Sequence, residues 1–128
     1  MSDWKTPLRL VEQLDKKGNI HEKGVKKLVS AVAEASELGD KLGCAEFIAF
    51  ATSAVRSAPN SEAVLDEVEK QTGVRLQILS GVEEAQLTFL AARRWYGWSA
   101  GRITNLDIGG GSLELSTGCL LYTSDAAD

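Results

Sequence analysis

The sequence is poor in the residues that most often carry nucleophilic, redox or metal chemistry. One histidine, His21, occurs in 128 residues, which excludes mechanisms built on a histidine base and metal sites rich in histidine. His21 lies in Gly18-Asn19-Ile20-His21-Glu22, where a helix is expected to start, and reads as a capping or surface residue. The two cysteines, Cys44 and Cys119, have neither a metal-site spacing nor a disulfide framework. Cys44 is expected to pack as a small apolar residue. No apolar run approaches the ~20 residues of a membrane span. The start Met1-Ser2-Asp3-Trp4-Lys5 has neither the basic region nor the apolar stretch of a signal peptide, so the cytoplasm is the expected location. A basic excess is also absent: the net charge of −4 argues against a general nucleic-acid binder. A phosphorylated substrate stays open, because backbone N–H groups with one or two arginines hold phosphate in an acidic protein, and carboxylates hold a bridging divalent cation.

What is present fits an ordinary globular domain: 44% apolar and 25% charged residues, in a length that allows one domain rather than two. Residues 6–11 place Leu8 and Leu10 in alternation with polar neighbours and read as a strand. After a turn at Gly18-Asn19, Val25, Leu28, Val29, Val32 and Ala35 recur at three- and four-residue steps, predicting a helix over 22–42 that stops at Gly43. Residues 46–51 are nearly continuously apolar and read as a buried strand. Asn60 or Ser61 can cap a helix over 61–72 with the stripe Val64, Leu65 and Val68, closed by Gly73. Residues 74–79 alternate as a half-buried strand. Ser80-Gly-Val-Glu83 fits a capping box that opens a helix to about Trp95. Residues 103–108 and 113–117 read as strands joined by a glycine turn, hence a hairpin. Strand and helix alternate, which predicts an α/β domain; the hairpin makes its sheet mixed.

The densest chemistry sits in Asp107-Ile108-Gly109-Gly110-Gly111-Ser112. Three residues without Cβ let the backbone turn sharply and approach a ligand, and their N–H groups can converge on an anion, with the Ser112 hydroxyl as a further donor. Asp107 ends a strand and can hold a divalent cation directly or through water. Glu114 lies two residues beyond Ser112, so both are expected on the ligand side while Leu113 and Leu115 face the core. The alternative is a plain glycine hairpin with an exposed edge glutamate. There is no Lys-Ser/Thr after the glycines, so this is not a P-loop. Glu83 is spent on its capping box. Glu84 beside it is expected either to orient a water, ionised by the helix dipole, or to serve only that dipole. Arg56 follows a buried strand, where ligand residues collect in α/β folds; it either holds phosphate oxygens or is structural.

Three blocks, Ala51-Thr-Ser-Ala-Val-Arg56, Ser80-Gly-Val-Glu-Glu-Ala85 and Asp107-Ile-Gly-Gly-Gly-Ser-Leu-Glu114, occur in the order and approximate spacing of the exopolyphosphatase and guanosine pentaphosphate phosphohydrolase (Ppx/GppA) family. Arg93-Arg-Trp-Tyr-Gly-Trp-Ser-Ala-Gly-Arg102 further resembles its actinobacterial exopolyphosphatase branch. The resemblance implies an actin-like ATPase (ribonuclease-H-like) fold and Mg²⁺-dependent hydrolysis of a terminal phosphoanhydride of polyphosphate, or of guanosine pentaphosphate, by a protein that is a homodimer at full length. A non-hydrolytic polyphosphate- or alarmone-binding module is a further reading. By matching positions, Glu84 resembles the residue that activates water, and Asp107 and Glu114 the metal-linked carboxylates. Gly109, Gly110, Gly111 and Ser112 resemble the second phosphate loop, and Arg56 a phosphate contact. Family members also carry a first loop of the type Asp-x-Gly-Ser-Asn on an initial strand hairpin, and this sequence has none. Gln86 and Val82 stand where the family more often has Arg and Glu or Asn. Residues 1–118 are therefore expected to be an incomplete N-terminal domain that hydrolyses little by itself, and 119–128 a non-native tail.

Overall fold

The computed structural model describes residues 3–109 and 112–118. The chain packs as two compact units, Met1–Ile78 and Leu79–Asp128.

In the first unit, the predicted strand at 6–11 is instead irregular chain leading into a 3₁₀ turn, Leu10–Gln13, entered through Arg9 in the left-handed region. No strand among the described residues pairs with it, and an isolated strand has no ladder to hold it. Leu8 and Leu10 still pack on the core, as their alternation requires. The Gly18 turn is organised by Asp15, whose Oδ1 accepts the N–H groups of Lys17 at 2.7 Å and Asn19 at 3.0 Å. Helix α1, Glu22–Lys41, begins where His21 Nδ1 accepts the Lys23 N–H at 3.4 Å, so His21 is the cap the sequence indicated. α1 packs against helix α3, Ser61–Thr72; Leu28, Ala31 and Val32 of one and Val64, Leu65 and Val68 of the other are buried. α3 ends at Gly73 with φ 73°, a left-handed C-cap. Asn60 does not cap α3 with its side chain; it spans to Ile20 instead, accepting its N–H at 2.9 Å and donating to its carbonyl at 3.0 Å.

The strand expected at 46–51 is regular only at β1, Phe50–Ala51, and that expected at 74–79 only at β2, Gln77–Ile78. They run parallel in register Phe50↔Gln77 and Ala51↔Ile78. Only Ala51 of the first run is buried; Phe47, Ile48 and Phe50 are exposed. A buried strand needs cover on both faces and both edges, and one partner strand does not provide it. Cys44 is likewise exposed rather than packed. A short helix, α2, Ser53–Arg56, follows β1 and buries Val55.

The second unit is helix α4, Gly81–Tyr96, followed by a 3₁₀ turn, Trp98–Ala100, and an antiparallel hairpin of β3, Ile103–Ile108, and β4, Leu113–Gly118. The expected single mixed sheet is therefore two separate strand pairs, one parallel and one antiparallel. The hairpin also turns the other way from expectation. Leu106, Ile108, Leu113 and Leu115 are exposed, whereas Glu114 is buried. Alternation fixes which residues share a face, not which face is covered; here α4 covers the polar one. Among the described residues, no helix is long and apolar enough to cross a membrane.

Candidate active site

The hairpin register sets Asp107 directly opposite Glu114, and Asn105 opposite Ser116, on the face against α4. Directly opposed residues have Cβ atoms about 4.5–5.5 Å apart, and two like charges there are destabilising. A hard divalent cation relieves that repulsion, and carboxylate oxygens are its preferred donors. Among the described residues, no group of three or more His, Cys, Asp or Glu forms a metal cage. Two carboxylates suit Mg²⁺, which keeps several waters and shares its remaining positions with substrate phosphates.

The loop closes with the Gly109 N–H donating to the Ser112 carbonyl at 3.0 Å. That N–H is engaged in the turn, so Gly109 offers a ligand space rather than a donor. A Cβ on it would lie 3.3 Å from Ser112 Oγ, crowding the hydroxyl that the sequence marks as a phosphate contact. Gly110 and Gly111 lie outside the described residues.

Glu84 enters the same end of the unit from α4. The capping box forms as the sequence indicated: Glu83 Oε2 accepts the Ser80 N–H at 2.8 Å, and Ser80 Oγ accepts the Glu83 N–H at 3.2 Å. The Ser80 backbone N–H, and then its hydroxyl, hold the Glu83 carboxyl below its ordinary range. Glu84 is half-buried, and its own N–H makes the first helical bond, to Ser80 O at 2.9 Å. One turn on, Asn105 Nδ2 reaches Thr88 Oγ1 at 3.5 Å, and Thr88 Oγ1 donates back to the Glu84 carbonyl at 3.0 Å. Glu84 is thus about 6 Å along the helix from Thr88, and Asp107 about 6.6 Å along the strand from Asn105. At the opposite end, Arg93 of α4 holds Gly101 and Gly118. Together these contacts place the N-terminus of α4 at the loop end of the hairpin, level with the Asp107–Glu114 pair.

Arg93 was not singled out from sequence as a site residue, and only its burial reveals it. It is 1% exposed. Its guanidinium donates to the carbonyls of Gly97 at 3.3 Å, Gly118 at 3.1 Å and Gly101, and lies 5.9 Å from the Phe89 ring centre. A Cβ at Gly118 would stand 2.9 Å from Phe89 Cζ, so the strand comes this close to α4 only with glycine there. Arg56 belongs to the first unit, at the end of α2, and is half-buried.

The model of the Ppx/GppA phosphatase family matches residues 1–124. The chain is 61% identical over 118 residues to Exopolyphosphatase 1 of Mycobacterium leprae (strain TN), covering 92% of this chain and 35% of that protein. It is 60% identical over 118 residues to Exopolyphosphatase 1 of Mycobacterium tuberculosis (strain ATCC 25618 / H37Rv), covering 92% and 34%. It spans about a third of the length of these relatives. An exopolyphosphatase crystal structure from Cytophaga hutchinsonii superposes with a TM-score of 0.85 at 26% identity, over 92% of this chain and 38% of that one. The Aquifex aeolicus Ppx/GppA family member shares the fold, with a TM-score of 0.75 at 24% identity over 90% and 37%. With the three sequence blocks carried on an α/β framework common to these structures, the chain belongs to the Ppx/GppA phosphatase family.

Proposed function

We propose that this chain is part of a Mg²⁺-dependent exopolyphosphatase, an enzyme that releases phosphate from the end of inorganic polyphosphate. The observation that carries this reading is the cross-strand pair Asp107–Glu114 level with Glu84 and beside the loop closed by Gly109 and Ser112. The relatives named exopolyphosphatase support the choice of substrate.

Phosphoanhydride cleavage needs positioning and charge neutralisation more than covalent chemistry. Glu84 orients a water and accepts its proton as the water oxygen bonds to the terminal phosphorus. The bridging P–O bond breaks, and its electron pair stays on the shortened chain. Asp107 and Glu114 would hold Mg²⁺, which when bound neutralises charge on the phosphate oxygens. Ser112 donates to a non-bridging oxygen, and the glycines give the phosphate room. By its motif position alone, Arg56 is a further candidate phosphate contact.

The test is phosphate release from long-chain polyphosphate by the full-length protein, with guanosine pentaphosphate as the comparison substrate. Glu84→Gln is expected to lower kcat by about 10²–10⁴-fold with KM little changed. Unchanged turnover in that variant sinks the mechanism, and a clear preference for guanosine pentaphosphate redirects the substrate assignment.

A further inference from the structure

Arg93 carries a charge into a site where one is costly, and this calls for a reason beyond packing. Arg93 is 1% exposed, and among the described residues its Nε has no hydrogen-bond partner and its other nitrogens donate only to backbone carbonyls. Taking a charge out of water is costly, and neutral carbonyls repay that cost only in part, so a buried arginine is an expensive way to gain stability alone. An apolar residue could not set direction, however. The planar guanidinium has its donors in a fixed fork. Here that fork ties three segments at once: Gly97 just past the end of α4, Gly101 just before β3, and Gly118 at the end of β4.

We propose that Arg93 is a positioning residue that fixes the register of α4 on the hairpin and thereby holds Glu84 level with Asp107 and Glu114. The inference rests on the function proposed above. α4 behaves as one rod: Arg93 clamps its last turn, Phe89 seats against Gly118 in the middle, and Glu84 rides on the first turn. A slide or tilt at the clamped end is carried to Glu84. A misplacement of about 1 Å at a reacting group can cost 10²-fold in rate. The substrate-facing loop and the Asp107–Glu114 pair belong to the hairpin itself, so substrate affinity should respond far less than turnover.

The experiment compares Arg93→Met, Arg93→Lys and Gly118→Ala with wild type in the full-length protein, measuring kcat, KM for polyphosphate and Tm. Arg93→Met is expected to lower Tm, because the carbonyls of Gly97, Gly101 and Gly118 lose their donor, but in molecules still folded at the assay temperature to keep KM within about twofold and to lose at least about tenfold in kcat. Arg93→Lys should recover part of that loss. Gly118→Ala keeps the arginine but forces the strand away from Phe89, and should show the same kcat loss without a KM change. Leu65→Ala, a core truncation in the first unit, is the control: it lowers Tm and leaves kcat unchanged. A folded Arg93→Met with wild-type kcat overturns the proposal. If Arg93→Met fails to fold, wild-type kcat in Gly118→Ala overturns it. A wild-type protein that releases no phosphate from polyphosphate overturns the proposed function and this inference with it, whereas wild-type turnover with unaffected variants overturns the inference alone.

Discussion

Asn60 offers the most direct test of the packing in the first unit. Its carboxamide satisfies both backbone groups of Ile20, a residue 3% exposed, through bonds of 2.9 and 3.0 Å that join positions 40 apart in sequence. Asn60→Ala removes both partners and leaves a buried N–H and a buried C=O. A buried polar group left unsatisfied costs about 1–3 kcal/mol, so the pair should cost about 2–4 kcal/mol, allowing for water reaching one of them. A domain of this size has a total stability on the order of 6–19 kcal/mol, so the loss is a sizeable part of it. With a urea m-value of about 2 kcal/mol per M, the midpoint should fall by roughly 1–2 M. Asn60→Asp adds a second reading. The ionised side chain still accepts from Ile20 N–H but turns an oxygen toward its carbonyl, whereas the protonated acid donates there. That raises the folded-state pKa, so stability is present below the ordinary aspartate value of about 3.9 and is lost as pH rises through the raised one. An Asn60→Ala loss under about 0.5 kcal/mol, or an Asn60→Asp stability independent of pH, would refute the reasoning.

Three further outcomes follow from local geometry. Gly24→Ala should destabilise α1 by about 1–3 kcal/mol despite alanine's better helix propensity, because the new Cβ would sit 2.8 Å from Gln13 Cβ and 3.0 Å from Ile20 Cγ2; thermal unfolding measures it. Glu83 has a depressed pKa, so its capping contribution is present above its ordinary value of 4.5 and is lost as pH falls through the lower folded value. Amide exchange in the first turn of α4 should therefore quicken in acid, and Glu83→Gln should remove that pH dependence. Asp107→Asn should relieve the cross-strand repulsion with Glu114, so that its metal-free form is at least as stable as wild type, and a rise in Tm on adding Mg²⁺ is expected of wild type but not of this variant.

The helices were legible because their periodicity, caps and stop signals are local. The stripe Val64, Leu65 and Val68 is buried as read, and Gly73 and the Ser80–Glu83 box end and begin helices as read. The short strands were not, because a strand's length depends on partners elsewhere in the chain. Residues 46–51 have the composition of a core strand, yet only Phe50 and Ala51 find a ladder, with β2. Asn60 has the right residue type for a cap, but its amide met two unsatisfied groups at Ile20, which outweigh one helical N–H. Arg93 stood in the segment that resembles the exopolyphosphatase branch, but nothing in the sequence gave it a role: an arginine in the last turn of a helix reads as a dipole partner on the surface, and its burial among backbone carbonyls marks it otherwise.

The reversed hairpin sharpens the reading of the site. Had Leu113 and Leu115 faced α4, Asp107 and Glu114 would have lain on the side away from the helix, and Glu84 would have had no carboxylate pair to work with. The burial of Glu114 beside α4 and the exposure of the leucines follow from the polar groups α4 presents to the hairpin: Thr88 toward Asn105, and Arg93 toward the carbonyl of Gly118. A helix that offers an acceptor at Thr88 and a donor at Arg93 selects the strand face able to meet them, since an apolar face would leave polar groups unsatisfied at a cost per group that exceeds what one leucine gains by partial burial. The residues that orient the hairpin are therefore the same ones that bring the acidic pair to the Glu84 side. Fold and site are set by one set of polar contacts, so substitutions at Thr88 or Arg93 should be felt at Glu84 although neither residue touches substrate.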